Sequence, residues 1–172
     1  RSSKGSHFTD AFLSMRPRLF AVAYRMLASK SDAEDVVQAC YIRWQRSQRT
    51  HVDDPKGFLI QIVTNLCLDH LRKSDPLRQD YPGEWLPEPI LTDDPTMRTD
   101  HDVSVALLLA LERLTPLERA AFLLRDVFDV DYAELAKTLD RSQATCRKLV
   151  ARARGHVHEA RPRSTVSSAE GE

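Results

Sequence analysis

Residues 131–158 read DYAELAKTLDRSQATCRKLVARARGHVH and hold two short helical patterns that meet at a tight turn. In the first, Asp131 to Leu139, Asp131 is placed to cap the helix and Glu134 follows at capping-box spacing. Leu135, Ala136 and Leu139 form its apolar stripe. Asp140-Arg141 makes the turn, and Ser142 is the expected N-cap of a second helix running to about His158. Cys146, Leu149, Val150 and Ala153 recur there at helical spacing. The other faces carry Gln143, Thr145, Arg147, Lys148, Arg152 and Arg154. Amides and hydroxyls at the start of a helix can reach base edges in a major groove, and the cations behind them can reach phosphates. A helix-turn-helix also needs a small residue where its helices cross, and Ala136 supplies one. The turn position that often holds Gly is Asp140, a residue that tolerates left-handed backbone. An antiparallel helix pair with a solvated basic face fits the same residues, so two readings remain open on this stretch alone.

The whole chain has 172 residues, a formal net charge of +0 and 29% charged residues, so global charge does not point to nucleic acid. The distribution does. From Arg141 to Arg163 the basic residues are Arg141, Arg147, Lys148, Arg152, Arg154, Arg161 and Arg163, opposed only by Glu159. That is a localised electrostatic footprint in a neutral chain. Cys40, Cys67 and Cys146 are odd in number, far apart and outside any CxxC pair, which argues against a disulfide framework or a zinc site and suits a reducing cytoplasm. No apolar run is long enough to span a membrane. The opening RSSKGSH reads as a processed end and is left out of the expected fold.

The first half predicts three helical pieces or more. Phe8, Phe12, Leu19, Val22, Met26 and Leu27 supply a long apolar pattern that Pro17 is expected to break or kink. Ser31 with Glu34 has capping-box spacing for a next helix lined by Ala33, Val37, Cys40 and Trp44. Asp35 and Gln38 point away from that stripe, and a solvated face is the plain reading of them. Ser47 to Asp54 is a polar loop, and Asp54-Pro55 starts a helix that stops near Ser74-Asp75-Pro76. Its outward side shows Asn65, Asp69, Arg72 and Lys73. His70 reads as a partly buried helix residue, because no second metal ligand has a useful spacing.

Five of the nine prolines lie between Pro76 and Asp102, which predicts a linker without sustained helix. Inside it, Trp85, Leu86, Pro87, Glu88 and Pro89 form a segment whose two apolar side chains should dock somewhere. Beyond it, Val105, Leu108, Leu111 and Leu114 give a helix ending at Thr115-Pro116, where Thr115 and Glu118 form a second capping box. The expected fold is all-α: two small helical domains, residues 8–75 and 103–160, joined by the Pro-rich linker 76–102 and followed by a polar tail, 161–172.

These signatures in order resemble an extracytoplasmic-function (ECF) sigma factor of the sigma-70 family, over about residues 8 to 160. DAEDVVQACYIRW, Asp32 to Trp44, resembles the region-two helix that docks on the β′ clamp helices of RNA polymerase. NLCLDHLR, Asn65 to Arg72, resembles the helix that reads the promoter −10 element. LERLTPLERAAFLLRDVFDVDYAELAKTL with RSQATCRKLVARAR resembles region four, whose last helix reads the −35 element. The WLPEP run resembles a subgroup that usually continues into a SnoaL-like domain contacting the linker.

The resemblance implies a promoter-specificity subunit with no cofactor, metal or catalytic residues. Its partners would be core RNA polymerase (β′ clamp helices and β flap), promoter DNA and either a SnoaL-like domain or an anti-sigma factor. Asp32, Asp35 and Gln38 would bind polymerase. Asn65, Asp69, Arg72 and Lys73 would meet the −10 element, with one base flipped into a pocket by the loop Ser47 to Asp54. Arg141, Ser142, Gln143, Thr145, Arg147, Lys148 and Arg152 would face the −35 duplex. Three rival readings explain less of the sequence. A sigma-like decoy for an anti-sigma factor leaves the basic helix unexplained, and a helix-turn-helix repressor leaves the clamp-like helix unexplained. An enzyme would need a nucleophile with its base or a phosphate-binding Gly loop, and the sequence offers neither.

Overall fold

A computed structural model describes residues 3–47, 52–78 and 105–160. Among them lie seven α-helices and no strand: α1 (Ser3–Leu27), α2 (Lys30–Arg46), α3 (Pro55–Arg78), α4 (Val105–Glu112), α5 (Pro116–Phe122), α6 (Tyr132–Leu139) and α7 (Gln143–Glu159). One π-helical turn, Leu123–Val127, continues α5. The chain is all-α, as its sequence predicts. The WLPEP segment and the polar tail lie outside the described residues.

The first three helices share a core because each carries apolar residues three and four apart. Leu19, Val22 and Met26 of α1, Val37, Cys40 and Trp44 of α2, and Leu59, Val63 and Cys67 of α3 are buried in it. Trp44 fixes the start of α1: its indole N–H donates to the Phe8 carbonyl at 3.0 Å, and the Phe8 ring stacks on it with centroids 3.8 Å apart. A buried Trp keeps its polar edge only if that N–H is paired, and here it is.

The last four helices bury Leu108, Leu111 and Leu114, then Ala121 and Leu124, then Leu135 and Leu139, then Cys146, Val150 and Ala153. Their starts follow the sequence. Thr115 and Glu118 form a reciprocal capping box, with Glu118 N–H donating to Thr115 Oγ1 at 3.2 Å. Asp131 Oδ1 accepts from Glu134 N–H at 2.8 Å, and Ser142 Oγ accepts from Thr145 N–H at 3.1 Å.

Four local expectations need correction. Pro17 lies inside one unbroken helix, because the buried Phe12, Met15, Leu19 and Val22 hold the helix on both sides of the single missing N–H. That helix begins at Ser3, so part of the opening segment set aside above is helical. The cap of α2 is Ser29, not Ser31: Ala28 closes α1 at φ 53, Ser29 is extended, and its side chain accepts from Asp32 N–H at 3.3 Å. Finally, α3 runs past Pro76 to Arg78, since a proline in the last turn removes one donor and leaves the earlier ladder intact.

The two helical units also touch. α5 and α6 pack on α3, and α4, α5 and the π-helical turn meet α1. Arg119 of α5 is buried, and its Nη1 donates to the Met26 carbonyl at 2.5 Å. From α1, Arg18 Nη2 donates to the Phe128 carbonyl at 2.5 Å.

Candidate nucleic-acid interface

The helix-turn-helix forms because Asp140 adopts the left-handed conformation, φ 52 and ψ 52, and its N–H returns to α6. The turn sets α7 across α6, with Leu135, Leu139, Cys146 and Val150 in the shared core. What remains outward is the basic row. Arg141, Ser142, Gln143, Arg147, Lys148 and Arg152 are all exposed. Thr145 is half-buried, and its hydroxyl accepts from Ser142 Oγ at 2.9 Å, so it serves the cap as well as the surface.

Arg147 is held in place. Its guanidinium lies 5.0 Å from the centre of the Tyr132 ring, and Nη2 reaches Gln143 Oε1 at 3.5 Å. Arg125 approaches the same ring at 4.7 Å, so Tyr132 carries two cations. Arg154 faces elsewhere. It forms two hydrogen bonds of 2.6 Å to Asp126, and these bonds raise its pKa. The basic spacing of α7 does not reveal this partner, which lies 28 residues away in the sequence.

On α3, Asp69, Arg72 and Lys73 are exposed and Asn65 is half-buried, so these four line one outward face. Asp69 and Arg72 pair at 3.7 Å. The N-terminal end of α3 is capped by Asp54, whose Oδ1 accepts from Gly57 N–H at 3.2 Å. On α2, Asp35 and Gln38 are exposed. Ile42 is 42% exposed one turn further on, so the outward face of α2 is not wholly polar. Asp32 instead turns back to α3, its Oδ2 lying 3.4 Å from His70 Nε2.

The three thiols are buried and unpaired with one another. Burial pushes the Cys40 thiol up to about 12 and raises Cys67 and Cys146 as well. No cluster of three or more metal-ligating side chains occurs among the described residues, and none of their helices is long and apolar enough to cross a membrane.

Residues 11–76 match the family described as Sigma-70 region 2, and residues 104–157 match Sigma-70, region 4. The chain belongs to the ECF sigma factors of the sigma-70 family. ECF RNA polymerase sigma factor SigJ of Mycobacterium tuberculosis is 42% identical over 152 residues, covering 85% of this chain and 48% of SigJ. The probable ECF sigma factor SigI of the same species is 36% identical over 167 residues, covering 93% of this chain and 57% of SigI. This sigma factor chain thus spans about half the length of these relatives. The crystal structure of SigJ superposes with a TM-score of 0.71 at 39% identity, covering 87% of this chain and 52% of that one. RpoE of Bartonella quintana, in complex with the anti-sigma factor NepR, shares the fold with a TM-score of 0.72 at 23% identity, covering 90% and 96%.

Proposed function

We propose that this sigma factor binds core RNA polymerase and directs initiation at promoters carrying −10 and −35 elements. The observation that carries the reading is the exposed basic row of α7, set on a helix-turn-helix whose caps and left-handed turn hold the helix start outward. The roles divide between the unit of α1–α3 and the unit of α4–α7, with the Pro-rich segment between them as linker. Asp35 and Gln38 on α2 dock on the β′ clamp helices, with Asp32 at the edge of that surface. Asn65, Asp69, Arg72 and Lys73 on α3 meet the opened −10 strand. Arg141, Ser142, Gln143, Thr145, Arg147, Lys148 and Arg152 face the −35 duplex.

The chain acts by positioning polymerase on DNA and catalyses no reaction of its own, and it works in the cytoplasm. Its Trp85-Leu86 segment is a docking point for a SnoaL-like domain, as in the subgroup it resembles. Binding assays with purified core polymerase test the first step. Asp35→Ala with Gln38→Ala should abolish capture of core polymerase while the helical content stays unchanged. Undiminished capture would move the polymerase surface away from α2.

A further inference from the structure

Asp32 stands apart from the other residues of the proposed polymerase face. Asp35 and Gln38 are exposed on α2, but the Asp32 carboxylate reaches across to α3, where its Oδ2 lies 3.4 Å from His70 Nε2. Among the described residues, His70 is the carboxylate's only partner. A carboxylate has two oxygens and about four acceptor sites. His70 takes one oxygen, and Oδ1 has no partner among the described residues. The Asp32 side chain is 40% exposed, so the group is open to a donor from outside.

Both ends of this contact are held by their own helices. The Asp32 N–H donates to Ser29 Oγ at 3.3 Å, which sets the first turn of α2. On α3, the buried Cys67 and Leu71 anchor the helix on either side of His70. The choice of imidazole also matters. A Lys or Arg in its place would hold the carboxylate with a full charge and repel a cationic partner. Imidazole can donate from Nε2 while neutral, which leaves the carboxylate its charge. A free carboxylate loses rotamer freedom when it docks, and one already held by a neighbour loses less.

We propose that His70 is a positioning residue for polymerase docking: it holds Asp32 by one oxygen so that the other accepts from a cationic side chain of the clamp helices. The proposal rests on the sigma-factor reading above and deepens it. His70 lies on the helix that carries the −10 residues, yet it acts on the polymerase face of α2. Its effect is modest for two physical reasons. At 3.4 Å the contact is longer than an ideal N–H···O bond, and both side chains are at least one-third exposed. Pairs this exposed change an equilibrium by up to about fivefold.

The Kd of the full chain for purified core polymerase tests this. His70→Ala should raise it about two- to fivefold. Alanine is the best helix former, so α3 keeps its fold, and helical content checks that. His70→Gln should restore the parent Kd, because its amide nitrogen reaches about as far as Nε2 and donates without charge. In an Asp32→Ala background, His70→Ala should change nothing further. An unchanged Kd in His70→Ala would overturn the proposal. So would a loss that adds to that of Asp32→Ala, which would mean that His70 touches polymerase itself or only joins α2 to α3. A loss in His70→Gln as large as in His70→Ala would overturn it too. If the parent chain captures no polymerase, the sigma-factor reading falls and the role of His70 with it. If Asp35→Ala with Gln38→Ala loses capture while His70→Ala keeps the parent Kd, the reading stands and only the role of His70 falls.

Discussion

Arg154 of α7 and Asp126 of the π-helical turn are joined by two hydrogen bonds of 2.6 Å across the helix-turn-helix. The pair braces α7 against the helix that precedes the motif, and it withdraws one cation from the basic row. Arg154→Ala should therefore lower stability more than it lowers DNA affinity. Because the Arg154 side chain is 55% exposed, the loss is discounted to about 0.5–1 kcal/mol, read as a fall in the thermal midpoint. A large drop in −35 duplex binding with unchanged stability would place Arg154 on DNA instead.

Arg125 and Arg147 both approach the Tyr132 ring, and Arg147 is one of the residues proposed to face the −35 duplex. If the ring acts by holding that guanidinium, Tyr132→Leu weakens −35 duplex binding in the parent chain but adds little in an Arg147→Ala background. Arg147→Ala alone should cost about 1–3 kcal/mol if the contact is to a base edge. A phosphate contact would weaken all sequences alike and flatten the salt dependence. Additive effects in the double-mutant cycle would remove Tyr132 from the readout.

Asp140 occupies a left-handed position at φ 52 where a glycine has no Cβ penalty. Asp140→Gly should raise stability by about 0.5–1 kcal/mol, and Asp140→Val should lower it by about 1–2 kcal/mol. Denaturant midpoints measure both. Equal midpoints for the two variants would mean that the turn relaxes out of this conformation.

Much of this motif was legible beforehand because its signals are local. Asp131, Thr115 and Ser142 each cap the helix that follows by accepting from the N–H three residues ahead, and short side chains before an apolar period announce that geometry. Pro17 misled for the opposite reason. Its local effect is to break a helix, but the packing of α1 against α2 and α3 outweighs one lost hydrogen bond. Ser29 took the cap from Ser31 because Ala28 adopts a positive φ, which nothing in an alanine signals. The bonds from Arg119 to Met26 and from Arg18 to Phe128 span 93 and 110 residues, and no periodicity encodes such distances. For the candidate site, exposure of Arg147, Lys148 and Arg152 followed from helical spacing. The partners of Arg154 and Asp32 did not, since each lies on another element.

The buried thiols predict a pH dependence with a definite sign. Burial moves Cys40 from 9.0 to about 12, so above pH 9 the unfolded chain releases a proton that the folded chain retains. The unfolded state then binds fewer protons, and stability falls as pH rises. The contribution is fully present below pH 9 and is lost progressively between pH 9 and 12. Cys40→Ala should flatten the decline of the thermal midpoint over that range. An undiminished slope would assign the decline to other groups.

We propose that this chain gives core polymerase its promoter. Transcription in vitro with purified bacterial core polymerase, this chain and fragmented genomic DNA, with the RNA 5′ ends mapped, tests it most directly. The predicted result is a set of defined starts that share two spaced upstream elements and vanish when the chain is omitted. The same starts with core polymerase alone would contradict it.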